Sequence, residues 1–212
     1  MPPWVSTIGK ERTWLSGASP SVGEVPAPRP VPARGTRDAQ ARGTQTRDTQ
    51  RARVYRAEDA WGDRLDAARQ GAALAIVGGS SLLLPAERRL GSLEAAAAYA
   101  ARVLALAPVV ELFGIVPPPR LRTRRGGARA HWESPGTIAL PVPTHGEPWA
   151  LRETVLLHEL AHHVGETTGR CSGHRPPFPA VLLALVDAVL GAEAAFVLRV
   201  EYGERGVGVG AL

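Results

Sequence analysis

Lysine is nearly missing from this 212-residue chain: Lys10 is the single lysine among 25 basic residues, and alanine, glycine and proline are plentiful. That mix points to a GC-rich coding sequence more than to a selected surface. Cysteine is as scarce. Cys171 has no second cysteine to pair with, which excludes an intramolecular disulfide and removes any need for an oxidising compartment. The first ten residues lack the basic start and apolar run of a secretory signal. A long charge-free apolar run is missing too. The best candidate, Ala180 to Val200, contains Asp187, Gly191, Glu193 and Arg199, whose charges would be costly at mid-bilayer, so it reads as two packed helices. The expectation is a soluble, cytoplasmic protein with no membrane partner.

What is present is unevenly charged. The formal net charge is +5, but residues 1–56 carry ten Arg or Lys against four Asp or Glu, a balance of +6 that leaves −1 for residues 57–212. Nucleic acid is therefore expected as a partner only through the basic N-terminal part. Residues 1–46 are rich in Pro, Gly, Ser, Thr and Arg and show no periodicity. Such a stretch cannot bury enough apolar surface to offset its ordering entropy, and a disordered tail is expected there. Thr36-Arg37-Asp38-Ala39-Gln40 returns as Thr46-Arg47-Asp48-Thr49-Gln50, consistent with a small duplication, and Trp4 and Trp14 are unusual for a tail. With 44% of the chain apolar, residues 47–212 suffice for one domain with a sizeable core.

Asp48 is a plausible cap for a helix running toward Ala67, with Arg51, Arg53 and Arg56 on a solvated face. Ala73 to Val77 and Ser81 to Leu84 are short strand-like runs around Gly78-Gly79, and Ser92 caps a helix from Leu93 to Leu106 that Pro108 stops. Val109 to Phe113, Arg120 to Arg124, Ala130 to Glu133 and Thr137 to Pro141 read as a small sheet. Gly126-Gly127 and Ser134-Pro135-Gly136 supply turns. Helices at Ala180 to Leu190 and from Gly191 through Arg199 complete an α+β pattern.

The chemistry concentrates in Leu156-Leu157-His158-Glu159-Leu160-Ala161-His162-His163, an HExxH sequence in a helical pattern. Leu151, Val155, His158 and His162 fall at i, i+4, i+7 and i+11 of one stripe. Two histidines four apart lie one above the other on a helix and can grip a single zinc ion. Glu159 projects about 100° further round, where it can reach a water held there without being a ligand.

A catalytic zinc takes a third protein ligand and keeps one position open. His174 is the candidate, beyond a turn-rich stretch in which Gly165 and Gly169 can end the helix and reverse the chain. The metzincin pattern fails, because its third histidine would fall on Thr168. A thermolysin-like glutamate would stand near residue 182, where there is none, and Glu193 is a more distant option. His163 reads as supporting or structural, Cys171 as a small loop residue, and His131 and His145 as strand-surface and loop residues. Asp187 reads as solvated, though it could instead orient a ligand imidazole; Tyr202 could donate to a developing oxyanion.

From Arg47 onward the chain resembles a family of uncharacterised actinobacterial metallohydrolases. The resemblance is carried by Arg47-Asp48-Thr49-Gln50-Arg51-Ala52-Arg53-Val54-Tyr55, by Pro85-Ala86-Glu87-Arg88-Arg89, by Ala130-His131-Trp132-Glu133 with Thr137-Ile138-Ala139-Leu140-Pro141, and by Trp149-Ala150-Leu151-Arg152-Glu153 running into the HExxH. The family's later histidine followed four residues on by phenylalanine is matched by His174 and Phe178. The family's glycine after that histidine is Arg175 here. More remotely the chain is similar to SprT-like minimal zincins. The resemblance implies a zinc hydrolase with no established substrate.

The combined expectation is a minimal zincin-like domain acting as a zinc-dependent peptidase or related amide hydrolase. Zn2+ would sit on His158, His162 and His174, with Glu159 as general base and a peptide or protein as substrate. Two rivals stand beside it. One is a non-catalytic zinc-stapled interaction module, which Glu193 or Cys171 in the fourth position would favour. The other is a SprT-like DNA-associated protease whose arginine-rich tail holds nucleic acid.

Overall fold

The computed structural model describes residues 34–124, 129–141 and 149–212, with side chains from Thr49 onward. Six α-helices and five short strands follow one another: α1 Arg34–Arg69, β1 Leu74–Val77, β2 Ser80–Leu83, α2 Leu93–Leu104, α3 Ala107–Phe113, β3 Arg120–Thr123, β4 His131–Glu133, β5 Thr137–Leu140, α4 Glu153–Thr167, α5 Pro177–Leu190 and α6 Ala192–Glu204. The architecture is mixed α+β. Among the described residues no single helix is long and apolar enough to cross a membrane.

α1 begins well before the expected cap at Asp48. The last proline of the N-terminal part is Pro32, and the alanines, arginines and glutamines that follow have good helix propensity. The rest of the expected tail, residues 1–33, lies outside the described residues. Further along α1, Val54, Ala57, Trp61, Leu65 and Ala68 recur at helical spacing and form the buried stripe. That stripe packs on α6, and the buried Trp61 Nε1 donates to the Ala194 carbonyl at 3.1 Å. α5 is apolar nearly all round and sits between α4 and α6, the position such a helix requires. Gly191, at φ +89°, joins α5 to α6 where the sequence predicts the break.

Two expectations are corrected. Val109 to Phe113 is helix rather than strand: Pro108 occupies the first turn of α3, where its missing N–H costs nothing. The Arg120 and Ala130 segments do not pair with each other, because β5 lies between them. β5 runs parallel to β3, with Leu121 beside Ile138, and antiparallel to β4, with Trp132 beside Ile138. Ile138, Ala139 and Leu140 are all buried, which suits the central strand and leaves β4 as an edge next to α4. The two short runs around Gly78-Gly79, strand-like or core-loop by sequence, are strands and pair as a hairpin, both glycines having positive φ.

A polar network fixes the start of α4. Glu87 accepts from the Arg152 guanidinium and from the backbone N–H of Thr154 at 3.1 Å, capping the helix from a distant segment. Glu153 is fully buried, yet it takes the Arg88 backbone N–H at 2.9 Å, the Arg88 guanidinium at 2.7 Å and the Tyr99 hydroxyl at 2.6 Å. Losing any one donor there leaves a buried carboxylate short, a cost of about 1–3 kcal/mol. Two backbone bonds, Leu90 N to Leu151 O at 2.9 Å and Glu153 N to Arg88 O at 3.1 Å, lock the two segments together.

Candidate metal centre

The two strongest sequence signatures outside the helix, Pro85 to Arg89 and Trp149 to Glu153, are thus the clamp that sets the direction and position of α4. From that fixed start the helix presents His158 and Glu159 at its buried middle and His162 one turn later. Of the two glycines that could end the helix, Gly165 lies inside it and Gly169 stands just beyond its last residue, Thr167. Gly169, at φ +67°, then lets Arg170 N return to Gly165 O at 2.9 Å and Gly169 N to Glu166 O at 3.3 Å. Gly165 matters for a different reason. A Cβ there would lie 2.1 Å from Cys171 Sγ, so the glycine lets the returning chain press against the helix. Cys171 is accordingly buried, and burial together with the nearby Glu166 charge pushes its thiol up to about 11.

The returning chain delivers His174. His158, His162 and His174 each offer a nitrogen within 4.8 Å of the others, and the two Nε2 atoms of His158 and His174 are 3.2 Å apart. Two nitrogens bound to one tetrahedral ion at about 2.0–2.1 Å stand about 3.3 Å from each other, so the spacing fits a shared cation. Phe178, four residues after His174 and fully buried, lies against all three imidazoles with centroids 4.3–5.0 Å away, and Tyr55 of α1 stacks on His158 at 5.3 Å from the other side. The last residues of the chain brace this loop: Gly210 N donates to Pro176 O at 2.6 Å, and Arg53 and Gln50 hold Gly206 and Gly208.

The protonation states suit a metal. Burial, with the neighbouring charges of His158, His174 and Arg51, pushes His162 down to about 2. Burial and the charges of His158, Arg51 and Arg129 push His174 down to about 3. Both are therefore held in the neutral form, the form that can coordinate a metal. His158 behaves differently. Burial pulls its pKa down, but the charge and hydrogen bond of Glu58 outweigh it and hold it above the usual value. The Glu58 carboxylate is 2.7 Å from His158 Nδ1, and Tyr202, itself fully buried, donates to the other Glu58 oxygen at 3.1 Å. This chain of contacts turns the His158 Nε2 toward the other two imidazoles.

Glu58 is the functional residue that the sequence reading missed. A carboxylate 100 positions before its histidine has no spacing to betray it. The available signal was Tyr55 and Glu58 at i, i+3 beside the apolar stripe of α1. Tyr202 serves Glu58 rather than any oxyanion. His163 is structural, its Nε2 2.7 Å from the Pro117 carbonyl and its Nδ1 accepting from Trp132 Nε1 at 3.3 Å. His131 stays on the strand surface beside Arg124 and Glu133, Asp187 and Glu193 are exposed, and His145 lies outside the described residues.

Glu159 is 3% exposed. One side of its carboxylate takes the backbone N–H of Trp132 on the edge strand, while Oε2 is buried without a partner among the described residues. Burial raises its pKa against the lowering effects of His158 and that N–H. A buried oxygen without a donor beside three converging imidazoles is the expected seat of a water shared with an ion. A cavity of about 460 Å³ opens on this side, lined by His158, Glu159 and residues of α1. No protein-family model, curated protein or solved structure matches the chain.

Proposed function

We propose that the chain is a zinc-dependent hydrolase of the zincin kind that cleaves a peptide or related amide bond. The observation that carries the reading is the buried Oε2 of Glu159, which has no partner among the described residues, on the helix that carries His158 and His162. The three imidazoles would hold the ion, and Glu58 would orient His158 toward it. When bound, zinc supplies a polarised carbonyl and a water acidified toward a pKa of about 7.

The protein's own part follows from geometry. Glu159 Oε2 takes a proton from the attacking water and delivers it to the leaving amine, and its raised pKa suits a group that must first accept and then donate. The neutral states of His162 and His174 keep protons from competing for the site. β4, on the sheet edge, offers backbone to an extended substrate.

The catalytic reading is favoured over a structural staple by the fate of the extra donors. Among the described residues no fourth ligand joins the three histidines: Cys171 is packed under Gly165, and Glu193 is exposed at the start of α6. Glu159→Gln tests the assignment. It should bind one equivalent of zinc while turnover of a peptide library falls by at least about 100-fold, the range for losing a general base. Undiminished cleavage would assign the proton transfer elsewhere.

A further inference from the structure

We infer that the cavity beside Glu159 is a binding site for a cationic side chain of the substrate, lysine or arginine, whose charge is held by Asp59 and Asp63. The inference rests on the peptidase reading and specifies its substrate class.

The cavity's volume, about 460 Å³, falls in the range of sites that enclose a small ligand, and it accommodates one long side chain with adjoining backbone. Trp149 and Val155 provide apolar wall for the methylene stem. Asp59 and Asp63 lie one turn apart on the α1 side of the cavity, both exposed. Asp63 feels the Arg152 charge at a distance, but neither aspartate makes an ion pair or hydrogen bond with any described residue.

Of the cavity's two arginines, Arg152 is already bound to Glu87 at 2.8 Å and to Asp66 at 3.0 Å. Arg129, which borders Asp59, makes no ion pair among the described residues and lies on the Tyr55 ring at 4.0 Å. Tyr55, Asp59 and Asp63 succeed one another four residues apart on α1, so each step leads about 6 Å further along the helix axis. At the reacting end the cavity is lined by Glu159, whose buried Oε2 has no partner among the described residues. A substrate with its scissile carbonyl beside the water at that oxygen runs its side chain along α1 to two carboxylates that pair with no described residue. Trp149 adds an aromatic surface for the cation.

The test is calorimetric titration of the zinc-loaded protein with a blocked peptide carrying a central arginine, and with its isosteric citrulline counterpart. The arginine peptide should bind on the order of tenfold more tightly, the scale of two partly exposed charge contacts. That advantage should shrink with added salt and vanish in the Asp59→Asn/Asp63→Asn double variant, whose replacements are exposed and leave the core untouched. Equal affinities in the wild type, no binding of either peptide, or an advantage that survives in the double variant overturns the inference. Binding is read without turnover, so a peptide that is preferred but never cleaved overturns the peptidase reading and leaves the cation site standing.

Discussion

Glu58 is the residue whose removal probes the centre most sharply without touching a ligand. Its carboxylate lies 2.7 Å from His158 Nδ1 and is braced by Tyr202 at 3.1 Å. Burial alone would make His158 a poor base, and Glu58 reverses that, so the same electrostatic support that favours a proton favours a divalent cation on Nε2. Partners of this kind are worth about 10–100-fold in metal affinity. That is about 1.4–2.7 kcal/mol at about 1.36 kcal/mol per decade. Glu58→Gln keeps an acceptor but loses the charge and belongs at the low end; Glu58→Ala loses both and belongs at the high end. Tyr202→Phe removes one donor to Glu58 and should cost less, about 0.5–1.5 kcal/mol. Zinc affinity is read by competition with a chromogenic chelator, with far-UV dichroism confirming the fold. The weakening should be larger in alkaline than in acid solution, where protons compete with zinc in the wild type. Equal affinities for wild type and Glu58→Ala would refute the supporting role.

Further outcomes follow from the packing and the charges. Gly165→Ala places a methyl 2.1 Å from Cys171 Sγ and should destabilise the fold by about 1–3 kcal/mol in urea unfolding; Cys171→Ala in the same chain should recover most of the loss, and simple additivity would refute the contact. Asp66 is pushed up by burial, but the Arg89 hydrogen bond and the Arg152 and Arg89 charges win, and its carboxyl stands below 3.8. A lowered folded-state pKa gives stability that is present above the unfolded value and lost as pH falls through the folded one. Asp66→Asn should therefore be less stable than wild type at neutral pH and lose less stability on acidification; parallel acid limbs would contradict the pairing.

The three histidines that could hold a metal were legible because helical periodicity makes a His-x-x-x-His pair a local fact, and a glycine-bounded turn makes a returning third histidine nearly one. Phe178 was visible only as a family likeness and proves to be the floor under all three rings. What stayed hidden was tertiary. Tyr55 and Glu58 come from a helix of which the sequence marked only the solvated face of Arg51, Arg53 and Arg56, and nothing local says that another side of it meets His158. Val109 to Phe113 misled because so short a segment, four apolar residues around Glu111, has no clear period of its own, and Pro108 decides for helix. The order β3-β5-β4 was illegible for a related reason: alternation identifies a strand but not its neighbour.

The central claim is that three imidazoles share one ion and leave a position for solvent. X-ray absorption of the zinc-loaded protein at the zinc edge measures this directly. The account predicts three imidazole nitrogens and one oxygen at about 2.0–2.1 Å, with no sulfur at about 2.3 Å. A sulfur neighbour, or fewer than three imidazoles, would contradict it.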